Sequence, residues 1–187
     1  MKRICMVVAL FLGSLCARGV AQPEVQKLTP EWSGLGGRWE ADSKGVLSGF
    51  GFLRYDEDLP DDFCLKGKLA VEKTGEGAEG GTRFDICFRR NPTEEWPTYV
   101  LRIKFDSIAL IKWDEGQKTL QDVKIDIPEK KWIAVELRMK EGKIQAKVGN
   151  KIRLEAADPK PIEHKKLLLC SIGMKCQLKD LKLTPVK

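Results

Sequence analysis

Apolar and polar residues alternate one by one through most of this chain, and that period of two restricts it to half-buried β-strands. In the stretch Phe63 to Val71, Phe63, Leu65, Leu69 and Val71 share one side, and Lys66 and Lys68 take the other. In Arg83 to Arg89, the side chains of Phe84, Ile86 and Phe88 face inward, which leaves Arg83, Asp85, Cys87 and Arg89 on the polar face. Cys64 and Cys87 both fall on the side away from the apolar one. Helix-period segments are nearly absent.

Turn residues cut the alternation into short pieces. Tyr99 to Phe105 and Ile108 to Trp113 flank Asp106-Ser107 as a hairpin. Ile133, Val135, Leu137 and Met139 precede a tight turn at Glu141-Gly142, and Ile144, Ala146 and Val148 lead through Gly149-Asn150 to Ile152, Leu154 and Ala156. Asp158-Pro159-Lys160-Pro161 interrupts the pattern because proline cannot donate to a ladder, and a last hairpin is expected from Leu167 to Leu183, turning at Gly173. About ten to twelve strands with turns every 8–12 residues predict an all-β sandwich or jelly roll. Composition agrees: 187 residues with 42% hydrophobic and 32% charged side chains suit one globular domain with its own core.

Lys2 and Arg3, the apolar run Ile4 to Leu15 and the small residues of Gly19-Val20-Ala21 predict a signal peptide over 1–21, a single β-sandwich domain over 22–187, and a secreted or periplasmic protein. The apolar run falls short of the roughly 20 residues that span a bilayer, so no stable membrane insertion is expected after processing. Leu15 is too bulky for a lipobox ahead of Cys16. Lys2, Arg3 and Arg18 would leave with the leader, lowering the formal charge from +6 to +3. The remaining lysines are spread along the sequence, so nucleic acid is not an expected partner.

Cleavage would leave Cys64, Cys87, Cys170 and Cys176, and export makes two disulfides plausible. Cys170 with Cys176 is the easiest pairing, across the hairpin at Gly173; Cys64 with Cys87 is a second if their strands are neighbours. Each bridge would contribute about 2–4 kcal/mol. With no Cys-x-x-Cys and one histidine, a zinc site has no ligand set.

Glycoside cleavage needs two carboxyls about 5–10 Å apart. Asp56-Glu57-Asp58, Asp61-Asp62 and Glu94-Glu95 sit beside prolines in loops, whereas Asp85 and Glu136 lie on the polar sides of strands. His164 is the one histidine and a single candidate acid or base. Serine-hydrolase and nucleotide-binding motifs are absent, and Glu76 and Glu79 within the glycine cluster Gly75 to Gly81 repel phosphate. Tryptophan offers a flat apolar surface to the C–H face of a sugar. Trp96, in a polar loop after the strand bearing Arg83, Asp85 and Arg89, is the best placed of five; Trp39 and Trp132 read as structural.

Gly36-Gly37-Arg38-Trp39-Glu40, Gly45-Val46-Leu47-Ser48-Gly49 and Leu59-Pro60-Asp61-Asp62-Phe63 resemble the opening of the 3-keto-disaccharide hydrolase domain family. The likeness continues through Phe88-Arg89-Arg90, the Tyr99 strand, Lys131-Trp132 and Leu178-Lys179-Asp180-Leu181. It implies a concanavalin A-like jelly-roll β-sandwich of two antiparallel sheets and an exported protein that binds or cleaves an oxidised glycoside. Gly80-Gly81-Thr82 stands where that family has Asn-Ser-Gly, and Val100 where it has a glutamate; Arg89 or Arg90 and Tyr99 match. Three functions follow as expectations. One is saccharide binding by Arg83, Arg89, Trp96, Tyr99 and Arg102 around Asp85. Another is keto-glycoside hydrolysis or elimination with Asp85, Glu136 or His164 as acid or base, the cofactor unknown and a divalent cation one option. The last is a structural or protein-binding sandwich.

Overall fold

A computed structural model describes residues 25–74, 81–93, 97–149 and 151–186. The proposed leader and Trp96 lie outside the described residues. The described residues form twelve strands, β1 (Val25–Lys27), β2 (Trp32–Ala41), β3 (Leu47–Tyr55), β4 (Phe63–Lys73), β5 (Arg83–Arg90), β6 (Thr98–Ile103), β7 (Ser107–Trp113), β8 (Gln117–Lys124), β9 (Ile133–Lys140), β10 (Lys143–Val148), β11 (Lys151–Ala157) and β12 (Lys166–Pro185). Every pairing is antiparallel. Glu141 and Gly142, with φ of 51° and 75°, make the tight turn between β9 and β10 that their right-handed twist favours.

The strands form two layers joined through β12. One layer runs β8-β7-β6-β5, then the first half of β12, then β3-β2-β1; the other runs β11-β10-β9-β4 and the second half of β12. The expected hairpin at Gly173 is therefore corrected: Lys166 to Pro185 is one strand, and it passes from a place between β5 and β3 to a place between β3 and β4. Gly173, at φ 64°, sits in an irregularity against β3 between Ser171 and Cys176. There the Ser171 hydroxyl donates to the Met174 carbonyl at 2.6 Å, closing the excursion without reversing the chain. The opposite edges approach each other where the Glu155 N–H donates to Gln121 at 2.5 Å, so the sandwich is nearly closed.

Alternation supplies the core. Phe84, Ile86 and Phe88 of β5, Tyr99, Leu101 and Ile103 of β6, Leu65 and Leu69 of β4, and Leu137 of β9 are buried together. Phe88 stacks on Tyr99 at 5.3 Å and meets Phe63 edge-on at 6.0 Å. Trp39 is buried as expected. Trp132 is corrected: just ahead of β9, it is 38% exposed, with the Lys179 ammonium 4.2 Å from its ring centre.

Candidate functional site

With Phe84, Ile86 and Phe88 committed to the core, period two points Arg83, Asp85 and Cys87 out of the first layer. Register places Arg102 of β6 beside Asp85 on one flank and Cys170 of β12 on the other, with Phe52 of β3 beyond Cys170. The Arg102 Nε donates to Asp85 at 3.0 and 3.3 Å and its Nη2 at 2.9 Å, while the Arg83 Nε donates to Asp85 Oδ2 at 3.0 Å. Burial alone would favour neutral Arg102, but the Asp85 carboxylate overrides it and raises the guanidinium pKa. Asp85 and Arg83 are buried, and Arg102 stays partly exposed.

Phe50 and Phe52 alternate with inward Gly49, Gly51 and Leu53, so both phenyl rings belong to this outer face, where Phe50 is 45% exposed. Arg54 follows on the same face and donates to Asp56 at 3.0 Å. Sequence reasoning missed these three residues. The signal was present in Gly49-Phe50-Gly51-Phe52, because glycines occupying the inward positions leave the aromatics no inward choice. Gly37 supports the arrangement from β2: at φ 84°, a Cβ there would lie 2.2 Å from the Phe50 carbonyl oxygen.

Several expected site residues are elsewhere. Arg89 was placed on the polar face by alternation, but a bulge against β12 and a φ of 55° turn it inward. Its Nη2 donates to the carbonyls of Pro60 (2.9 Å) and Asp61, its Nη1 donates to that of His164 at 3.3 Å, and the guanidinium lies over Phe63. Burial lowers the Arg89 pKa, opposed by Asp61 and Asp62. Tyr99, expected to meet substrate, is fully buried; its hydroxyl donates to Asp158 and accepts the Ile162 N–H at 3.3 Å. Burial and the Asp158 carboxylate push the phenol pKa upward.

Glu136 is on the outer face of the second layer, where it pairs with Lys66 at 3.4 Å and Lys147 at 3.8 Å. Two packed layers, spaced about 10 Å apart, separate it from Asp85. His164 lies in the connection between β11 and β12, six residues before Cys170. These three candidates thus do not converge. Asp122 does share the outer face with Asp85, but it is three strands away, about 14 Å at 4.7–4.9 Å per strand.

The four cysteines are free thiols, which corrects the expected bridges. Cys170 and Cys176 lie on one strand and do not oppose each other. Cys64 and Cys87 lie on β4 and β5, which β12 separates, and they point from opposite layers, beyond the roughly 7 Å Cα separation a disulfide spans. Burial and Asp85 push the Cys87 thiol up to about 12, burial pushes Cys176 up to about 12, and Cys170 rises for the same reason. None is a poised thiolate nucleophile at neutral pH. No group of three metal-ligating side chains occurs among the described residues.

The two-layer antiparallel sandwich defines the fold class as a jelly roll. Its fold is similar to that of the carbohydrate-binding module CBM66 from Bacillus subtilis, with a TM-score of 0.66, 17% identity, and coverage of 86% of this chain and 99% of that one. A putative glycosyl hydrolase from Parabacteroides distasonis gives a TM-score of 0.61 at 12% identity, covering 86% and 91%. Sheep galectin-11 in complex with glycerol gives 0.55 at 12%, covering 71% and 95%. Neither a family model nor a curated protein matches the chain. The likeness is one of fold, and it is the jelly roll that the family resemblance implied.

Proposed function

We propose that this protein is an exported, non-catalytic saccharide-binding jelly roll of the 3-keto-disaccharide hydrolase type, and that it holds its ligand on the outer face of the first layer. The observation that supports this most is the fixed Arg83–Asp85–Arg102 cluster on the same outer face as the exposed Phe50 ring, two strands away across β12. A phenyl ring suits the C–H face of a sugar, and guanidinium groups are rigid donors to oxygens. A keto-sugar carbonyl, which only accepts, matches such donors. The printed name of one fold neighbour, a carbohydrate-binding module, suggests the ligand class by analogy of fold alone.

Binding is favoured over cleavage because Asp85 is engaged by two arginines and Asp122, a carboxylate on the same face, lies beyond the 5–10 Å reach of an acid pair. The amino-terminal pattern from Lys2 to Ala21 supports export. The test is a glycan array that includes 3-keto-glycosides, followed by calorimetry and a turnover assay. Binding that Phe50→Ala weakens at least tenfold with melting temperature retained is the expected result. Binding to no glycan, indifference to Phe50→Ala, or turnover that Asp85→Asn abolishes would overturn it.

A further inference from the structure

The second layer carries a different surface. Lysines that are scattered in sequence are gathered on its outer face by strand pairing: Lys66 and Lys68 of β4 face Lys182 and Lys179 of β12 directly. Lys179 and Lys182 are three residues apart and would ordinarily point to opposite sides. An irregularity between them, with Asp180 at φ 57°, brings both outward. Gly67 makes room for it, since a Cβ there would lie 2.6 Å from a Leu181 methyl. The result is a square of four ammonium-bearing positions, about 5 Å across the strands and about 7 Å along them.

Like charges directly opposite on adjacent strands are destabilising, and this square contains two such pairs. Compensation within the chain is thin. Lys66 reaches a half-buried Glu136 at 3.4 Å, which Lys147 shares, and Lys68 reaches the exposed Asp180 at 3.4 Å, a contact of small value. Lys182 forms no ion pair within 4 Å among the described residues. Lys179 lies over the exposed Trp132 ring, and Ala134, opposite Lys68 on β9, is a small exposed side chain.

We infer that this face docks an acidic polysaccharide, a linear chain of carboxylate-bearing sugars. The ammonium square supplies the counter-charge for successive carboxylates, and Trp132 lies beside it as an apolar shelf for a ring. Glu136 and Asp180 among the lysines suit spaced carboxylates better than a dense phosphate backbone. This surface is separate from the arginine cluster and does not depend on it.

The experiment uses the full chain with alginate as the probe and neutral dextran as its control, at low and at high salt. Wild type is expected to bind alginate at low salt, to release it in high salt, and to ignore dextran. Lys68→Gln with Lys182→Gln removes one charge from each opposed pair. It is expected to lose at least about tenfold in affinity while its melting temperature stays the same or rises. Lys44→Gln with Lys118→Gln, which removes equal charge from exposed positions elsewhere, is expected to change affinity little, as is Phe50→Ala. No binding of alginate, an equal loss in the Lys44/Lys118 variant, or tighter binding to duplex DNA than to alginate would overturn the inference.

Discussion

Asp85→Asn should destabilise the fold strongly, although the substitution is nearly isosteric. The carboxylate accepts from both Arg83 and Arg102, whose side chains are 10% and 18% exposed. Asparagine keeps one oxygen and loses the charge, leaving two guanidinium cations in a mostly desolvated row. Breaking a buried pair by removing one partner costs about 3–5 kcal/mol. Partial exposure of Arg102 trims the expectation to about 2–4 kcal/mol, a fall of roughly 4–16 °C in melting temperature for a chain of this size. Urea denaturation followed by tryptophan fluorescence, with calorimetry alongside, measures both. A companion variant, Arg83→Met with Asp85→Leu and Arg102→Met, removes the whole cluster and fills its volume with apolar atoms. It should retain stability within about 1 kcal/mol of wild type, because no charge is left stranded. Its saccharide binding should be gone. A loss below about 1 kcal/mol in Asp85→Asn, or a triple variant as unstable as the single one, would refute the reasoning.

Arg89→Met should cost about 2–4 kcal/mol with no change in glycan binding, because the guanidinium ties backbone carbonyls of Pro60, Asp61 and His164 together; urea titration and calorimetry check the two parts. Acid should weaken the fold below about pH 4. Burial alone would raise the carboxyls of Asp158 and Asp56, but Lys112 and Tyr99 hold the first below its ordinary value, and Lys27, Ser33 and Arg54 hold the second. Their contribution is complete above the ordinary value of 3.8 and is lost as pH falls through the lowered folded values, so Asp158→Asn should flatten the acid limb of a stability–pH curve. At the alkaline end the sign is reversed. Cys87 and Cys176 are raised from 9.0 to about 12, so stability should fall as pH climbs from about 9 towards 12, less so in Cys87→Ala with Cys176→Ala. Buried thiols should also label with a disulfide reagent only after unfolding.

Strand identity and facing were legible because alternation is a local property: Phe84, Ile86 and Phe88 had to share a side, and Arg83 and Asp85 the other. Arg89 was misread because one extra residue in a bulge reverses facing, and nothing in Phe88-Arg89-Arg90 distinguishes a bulge from a regular step. Gly173 was misread for a related reason. A glycine at positive φ serves a hairpin turn and a strand irregularity equally well, and what decides between them is that β5, β3 and β4 are all available to pair with β12. The cysteine pairings failed with it, since they depended on which strands are neighbours. That is a long-range fact which no window of sequence contains.

The lysines show the same limit from the opposite direction. Read along the chain, the pair Lys66 and Lys68 is more than a hundred residues from the pair Lys179 and Lys182, and all four look like ordinary solvated positions. Antiparallel pairing of β4 with β12 folds that separation to one strand spacing and makes opposed like charges of them. The same strand, before its excursion at Gly173, supplies Leu168 and Cys170 to the arginine face of the other layer. One continuous strand therefore builds parts of two outer surfaces with different electrostatics. Substitutions placed on either side of Gly173 can perturb one surface while the core under both, made by the inward residues Leu167, Leu169, Cys176 and Leu178, is left in place.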